Sequence, residues 1–212
     1  LKTGFYYLLW DVFQYGIGGN VDKQNLCLDL ARSGKSILEV GCATGNIAEI
    51  FKDHRDKRYV GIDIDGLAIE RATKKNLPEN IKFYNISLSD FVLNSSKFDT
   101  ILLAGFFHHI PDALCVEMLK DAVKILESGG KIYVVDPLRP GSKSPLLYHF
   151  YSNFLEKGQY LREKEKLVSL VESVDGIQID RVFQTEIGAT PFGRPLCAHF
   201  CIAEISKSSS NG

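Results

Sequence analysis

The stretch Ile37-Leu38-Glu39-Val40-Gly41-Cys42-Ala43-Thr44-Gly45-Asn46 decides how the rest of this chain is read. A short apolar run carrying a single acid ends at a turn with glycine at 41 and 45. Ile47, Ala48, Ile50 and Phe51 then recur at helical spacing. The pattern predicts a strand, a tight turn and a helix. The strand is nearly all apolar, as a parallel strand covered on both faces must be. The turn has to bring backbone close to a ligand, and glycine, lacking Cβ, permits that approach. The N–H groups that open the helix have no partner inside it and face whatever binds above the turn.

The spacing narrows the ligand. A dinucleotide fingerprint, G-x-G-x-x-G, would place glycine at 41, 43 and 46. The residues present are Gly41, Ala43 and Asn46. A G-x-G-x-G turn needs 41, 43 and 45, and only Ala43 departs from it. With Glu39 two residues before the first glycine, this turn resembles motif I of the class I S-adenosylmethionine-dependent methyltransferases. A pyrophosphate needs a helix end free of acids. A zwitterionic methionine tail instead gains from a carboxylate such as Glu39, facing its ammonium group. The resemblance implies that Gly41, Cys42, Ala43 and Gly45 line the cofactor.

Two further stretches extend the resemblance. Tyr59-Val60-Gly61-Ile62-Asp63-Ile64-Asp65 reads as a second strand and its exit, with Asp63 lying 18 residues past Gly45. An acid near that distance accepts from both hydroxyls of a ribose. Asp63 is the strongest single ligand candidate; Ile64 would offer an apolar face to adenine, and Asp65 would cap the next helix. Residues 98–112 read as an apolar strand, a small-residue turn at Ala104-Gly105, and His108-His109-Ile110-Pro111-Asp112. This is similar to motif IV of small-molecule methyltransferases, with Ala104 under the transferring methyl group. His108 and His109 are the catalytic candidates, since histidine is the natural general base near neutral pH. After a third strand at 81–86, the family often places an acid on the adenine amino group. Ser87 stands there instead, with Leu88 next.

Other segments complete the layout. An aromatic stretch at 1–15 and a helix at 21–32 make an N-terminal cap over residues 1–35. Tyr15 is a candidate to close over the sulfonium by cation–π attraction. The helix after the turn should run to about Lys52. A helix at 114–126 stops at Ser128-Gly129-Gly130 before a fifth strand at 131–135. Helices at 146–155 and 162–174 follow, then an antiparallel pair at 177–183 and 196–205, and a frayed tail at 206–212. The expected fold is α/β, doubly wound, with a mostly parallel seven-stranded sheet, a C-terminal antiparallel hairpin and helices on both faces. Its cofactor half spans 36–137 and its substrate-side half 138–205. Tyr148, His149, Arg194 and His199 are lesser candidates for the acceptor pocket.

Composition bounds the partners. The net charge is −1, with no basic run to attract nucleic acid. Five cysteines without a C-x-x-C pair read as reduced thiols in a cytoplasmic protein. No apolar stretch approaches the ~20 residues of a membrane span, and no secretory signal pattern is legible. The resemblance implies S-adenosyl-L-methionine as cofactor, no metal, and a small, partly apolar methyl acceptor that the aromatic flanks would suit. A non-catalytic S-adenosylmethionine-binding or partner-interaction protein on the same fold is the alternative.

Overall fold

Strand β1 (Ser36–Val40) lies between β2 (Arg58–Asp63) and β4 (Phe98–Ala104), parallel to both. The computed structural model describes residues 19–94, 96–142, 144–150, 152–153, 159–188 and 198–208. Beyond β2 comes β3 (Ile81–Asn85), and beyond β4 comes β5 (Leu126–Pro137), again in parallel. The sheet ends with β7 (Ala198–Lys207), antiparallel to β5, and β6 (Ile177–Ile187) at its edge, antiparallel to β7. The strand order β3-β2-β1-β4-β5-β7-β6 reverses direction between β1 and β4. Ligands of such sheets bind at that switch point, outside the carboxyl ends of the strands.

Alternation along β1 divides the core. Leu38 and Val40 face one layer, with Ile101 and Leu103 of β4 and Cys115, Leu119 and Ala122 of helix α4 (Asp112–Ile125). Ile37 faces the other layer, with Tyr59, Ala48, Phe51, and Cys27 of helix α1 (Gly19–Leu30). Ile37, Leu38, Ile101 and Leu102 are all fully buried. Burying each such side chain stabilises the fold by about 1.5–3 kcal/mol. Helices α2 (Gly66–Thr73) and α3 (Leu88–Asn94) connect the parallel strands. Helix α5 (Leu146–Phe150) follows β5, and α6 (Lys164–Glu172) precedes β6. Leu167, Leu170 and Val171 of α6 complete the first layer.

The seven strands and the antiparallel hairpin agree with the sequence reading; several boundaries do not. The segment after the first turn is not an α-helix reaching Lys52 but a 3-10 helix, Ile47–Phe51. Bonds of the i→i+3 type continue past it, from Lys52 N to Glu49 O and from His54 N to Phe51 O. So short a piece satisfies its end groups better with the tighter winding. Strand β5 begins at Leu126 rather than 131, because Leu126 pairs with Phe98 and a register shift absorbs the glycines expected to be a loop. Strand β7 runs through Lys207, where a frayed tail was expected, because Ile177 and Gln178 pair with Lys207 and Ser206. The aromatic stretch 1–15, with Tyr15, lies outside the described residues, as do Arg194 and most of 151–158.

Candidate active site

Above the carboxyl end of β1 the chain turns through two left-handed glycines, Gly41 at φ +73° and Gly45 at φ +71°. Both positions are also tight. A Cβ on Gly41 would stand 2.9 Å from the Phe106 ring, and one on Gly45 would stand 2.8 Å from Phe83. Ala43 is left-handed as well, at φ +46°. That conformation costs a residue with a Cβ roughly 1 kcal/mol or more. A hydrogen bond from Ala43 N to Asp63 Oδ2, at 2.9 Å, holds it. Asp63 Oδ1 accepts from Asp65 N at 2.8 Å. Each carboxylate oxygen therefore has one backbone donor and keeps a lone pair for another. Asp63 is half-buried, and Ile64 beside it is 79% exposed. Asp65 caps α2, accepting from Leu67 N and Ala68 N. The structure thus brings Gly41, Ala43, Gly45, Asp63 and Ile64 together at one strand-end cluster.

Glu39 is placed differently from an open ligand group. It is 2% exposed, and its carboxylate accepts the hydroxyl proton of fully buried Tyr59. Burial pushes its pKa up to about 7, against the smaller lowering effects of Tyr59 and the Lys23 ammonium. Cys42 is buried beneath the bend with its Sγ against Gly61, and burial raises its thiol pKa well out of the reactive range. Ser87 is engaged by the fold itself. Its hydroxyl donates to Asp90 Oδ2 at 2.6 Å and accepts from Asp90 N at 3.2 Å, which closes the N-terminus of α3 in a reciprocal cap. Leu88 is 4% exposed, in the core.

The end of β4 forms the second cluster. Ala104 is buried, and Gly105, at φ +75°, donates its N–H to Val135 O at 2.7 Å. A 3-10 turn, Phe107–His109, follows. The two histidine rings stay in contact, centroids 4.0 Å apart, but differ in burial: His109 is exposed, while His108 is 4% exposed with Nδ1 2.9 Å from Asp136 Oδ1. Asp136, at the end of β5, is 1% exposed. Burial raises its pKa, opposed by His108, the Arg162 guanidinium and the Phe107 N–H. The tautomer with Nδ1–H donating to this carboxylate is the one that carries its lone pair on Nε2.

Arg162 is the residue the sequence pattern missed. It is 5% exposed and donates to Asp112 Oδ1 (2.8 Å), Phe107 O (2.8 Å), Ile110 O (2.8 Å) and Tyr160 O (3.1 Å). Tyr160 N donates to His108 O at 2.9 Å. The segment around 160–162 thereby pins the histidine turn from above. A lone arginine in a charged stretch carries no local signal of such a role. Tyr59, the partner of Glu39, and Lys23, whose Nζ lies 3.4 Å from where a Cβ on Gly105 would stand, were likewise missed. Of the lesser candidates, Tyr148 is a core residue donating to Leu138 O, His149 pairs with Gly141 O, and His199 is half-buried on β7. Among the described residues no group of three or more His, Cys, Asp or Glu side chains is placed to hold a metal ion. None of their helices is long and apolar enough to cross a membrane.

Residues 37–130 match the family described as "Methyltransferase domain". The chain is 30% identical over 176 residues to the ubiquinone/menaquinone biosynthesis C-methyltransferase of Sinorhizobium fredii, covering 77% of this chain and 66% of that protein. It is 32% identical over 120 residues to an uncharacterized methyltransferase of Schizosaccharomyces pombe, covering 52% of this chain and 41% of the other. The chain thus spans less than two thirds of the length of either relative. Among solved structures, the plantazolicin methyltransferase BpumL in complex with a desmethylplantazolicin analog and S-adenosylhomocysteine superposes with a TM-score of 0.69 at 17% identity. That superposition covers 95% of this chain and 89% of the other, and it speaks to the fold.

Proposed function

We propose that the chain, whose residues 37–130 match a methyltransferase domain, transfers a methyl group from S-adenosylmethionine to a small, partly apolar acceptor, releasing S-adenosylhomocysteine. One observation carries the reading: the left-handed bend at 41–45 and the Asp63 carboxylate are hydrogen-bonded to each other at the switch point of the sheet. The cradle fits the cofactor. Asp63 retains acceptor capacity toward a ribose diol. Exposed Ile64 offers the apolar face that an adenine ring needs. Glu39 sits below the bend, where a methionine ammonium would favour its charged form. When bound, the cofactor supplies an already activated methyl electrophile, so no metal is required to polarise it.

The chain's own residues then position and dry the site. Small Ala104 and Gly105 leave room at the end of β4. Positioning a nucleophile in line contributes up to ~7–11 kcal/mol in favourable models. His108, oriented by Asp136, is the proton acceptor for a hydroxyl or ammonium acceptor group. Exposed His109 is assigned no proton transfer. Ser87 supports the adenine end by shaping the start of α3, with Leu88 behind it. The buried free thiols Cys27, Cys42, Cys115 and Cys201 support a reducing, cytoplasmic setting.

Calorimetry on the purified chain tests this reading. S-adenosylmethionine and S-adenosylhomocysteine are expected to bind, and NAD is not; binding of NAD with no signal from either sulfur ligand would refute it. Incubation with methyl-labelled cofactor and a small-molecule extract, read by mass spectrometry, identifies the acceptor. With that acceptor, His108→Gln should lower turnover by about 100-fold and leave S-adenosylhomocysteine affinity unchanged.

A further inference from the structure

The 3-10 turn that carries the histidines holds itself with few bonds. It spans Phe107–His109, and no side chain caps its N-terminus. Its own backbone bonds run from His109 N to Phe106 O (2.9 Å) and from Ile110 N to Phe107 O (3.1 Å). A piece this short is marginal by itself, since few bonds offset the ordering of its backbone. The remaining donors come from Tyr160-Leu161-Arg162. Tyr160 N donates to His108 O, and the Arg162 guanidinium donates to Phe107 O and Ile110 O, one on each side of the histidine pair. The same tripeptide is tied to the strand end that carries Asp136. Leu138 and Arg162 form a parallel β-bridge, and Arg139 N donates to Arg162 O at 2.8 Å. His108 follows β4 and Asp136 ends β5, so these bonds set both partners against one short segment.

Arginine is suited to this task because its planar fork carries five N–H donors in fixed directions. Here Nε serves Asp112, Nη1 serves Phe107 O and Tyr160 O, and Nη2 serves Ile110 O. A lysine would keep a charge for Asp112 but lacks the fork that spans both sides of the turn. Arg162 is 5% exposed, so carbonyls that lose it stay buried and unsatisfied. The form of His108 with its lone pair on Nε2 depends on the Nδ1 contact to Asp136 Oδ1, at 2.9 Å. Such a bond weakens steeply when its angle is lost. Resting on the assignment of His108 as proton acceptor, we propose that Arg162 is a positioning residue for that step: it holds the backbone of the histidine turn so that the His108 ring faces Asp136, and it acts on turnover rather than on cofactor binding.

The test uses Arg162→Lys, which keeps a cation beside Asp112 and loses the fork, with Lys166→Gln as its comparison. Lys166 pairs with Asp112 Oδ2 at 2.8 Å, so its loss removes an ion pair from the same cluster and leaves every Arg162 bond in place. Nitrogen NMR spectra of the imidazole rings, recorded with the rings neutral, distinguish the two tautomers. His108→Gln identifies the His108 signal by its disappearance. The wild-type chain and Lys166→Gln should show His108 protonated on Nδ1, and folded Arg162→Lys should show it on Nε2, the ordinary form of an untethered ring. Turnover is read with methyl-labelled S-adenosylmethionine and the extract fraction that it labels. In Arg162→Lys, kcat should fall by about tenfold or more, as for a misplaced catalytic group. The KM for S-adenosylmethionine and the affinity for S-adenosylhomocysteine should stay as in the wild-type chain. Thermal melts confirm that each variant is folded under assay conditions. An Nδ1–H signal with wild-type kcat in folded Arg162→Lys would overturn the proposal. So would equal changes in Arg162→Lys and Lys166→Gln, which would mean that the cluster acts only through stability. If His108→Gln turns over at the wild-type rate, the proton-acceptor reading falls, and this inference with it. An inactive His108→Gln beside a fully active Arg162→Lys sinks this inference alone.

Discussion

On the β1–β2 side of the switch point, the site is built from backbone. Asp63 is held by the N–H groups of Ala43 and Asp65, and the bend keeps its shape through left-handed residues within a few positions of one another. On the β4–β5 side, the site is built from side chains that meet across long sequence distances. His108 meets Asp136 28 residues on, and Arg162 reaches Asp112 50 residues back. The first side is local, half-exposed and ready to accept donors from a ligand. The second is buried and ionic, so its geometry depends on a complete network. A network of buried polar groups orients its members firmly when satisfied and costs heavily when one member is lost. The binding and the chemistry proposed above thus draw on two different kinds of construction.

The largest expected effect breaks the second side. Arg162→Gln leaves three carbonyls without their donor, while Asp112 keeps Lys166, and urea denaturation should show a loss of about 3 kcal/mol, from buried acceptors left unsatisfied at roughly 1–3 kcal/mol each. A loss below about 1 kcal/mol would mean that the histidine turn holds its shape unaided.

Next comes pH, which tests whether the first side also contains a buried charge problem. Unfolded, Glu39 ionises near its ordinary 4.5; folded, burial holds it neutral up to about 7. The native state therefore binds more protons in that window. Stability from this group is fully present below pH ~4.5 and falls as pH rises through about 7, by up to about 3 kcal/mol. The groups facing it are Tyr59, Lys23, Asp63 and Lys75. Denaturation midpoints across pH 4.5–8 should flatten in Glu39→Gln, and an unchanged slope would remove Glu39 as its source. Raised Asp136 contributes a slope of the same sign, which Glu39→Gln leaves in place.

Asp63→Ala should weaken S-adenosylhomocysteine binding by tenfold or more, about 1.5–3 kcal/mol, while Arg162→Gln, studied below its denaturation range, should not. If both variants weakened binding equally, the division between the two sides would be lost. The smallest effect concerns Ser87. Ser87→Ala should cost about 1 kcal/mol of stability through the lost helix cap, with cofactor affinity nearly unchanged. A large affinity loss with no change in stability would instead assign the hydroxyl to the adenine.

The same division explains what was legible in the chain. Gly41 and Gly45 act within one strand–turn–helix unit and Asp63 and Asp65 within the next, so local spacing was enough to mark the bend, the acid at the strand end and the helix cap. The 3-10 winding of Ile47–Phe51 was not legible, because apolar spacing does not distinguish five residues of 3-10 from one α-turn. Motif position gave both histidines as candidates; what it did not show is the Asp136 carboxylate against which the fold buries His108, while His109 stays exposed.

By itself the sequence determined the order of strands and helices, the glycine bend and the acid at the next strand's end, because each follows from local periodicity and from what glycine and carboxylate do at short range. Only the tertiary structure decided which histidine is held, what neutralises Glu39, and which distant cations, Arg162 and Lys23, stand over the two turns. Those are pairings between charges brought together by burial, and a linear pattern does not encode which partners burial will select.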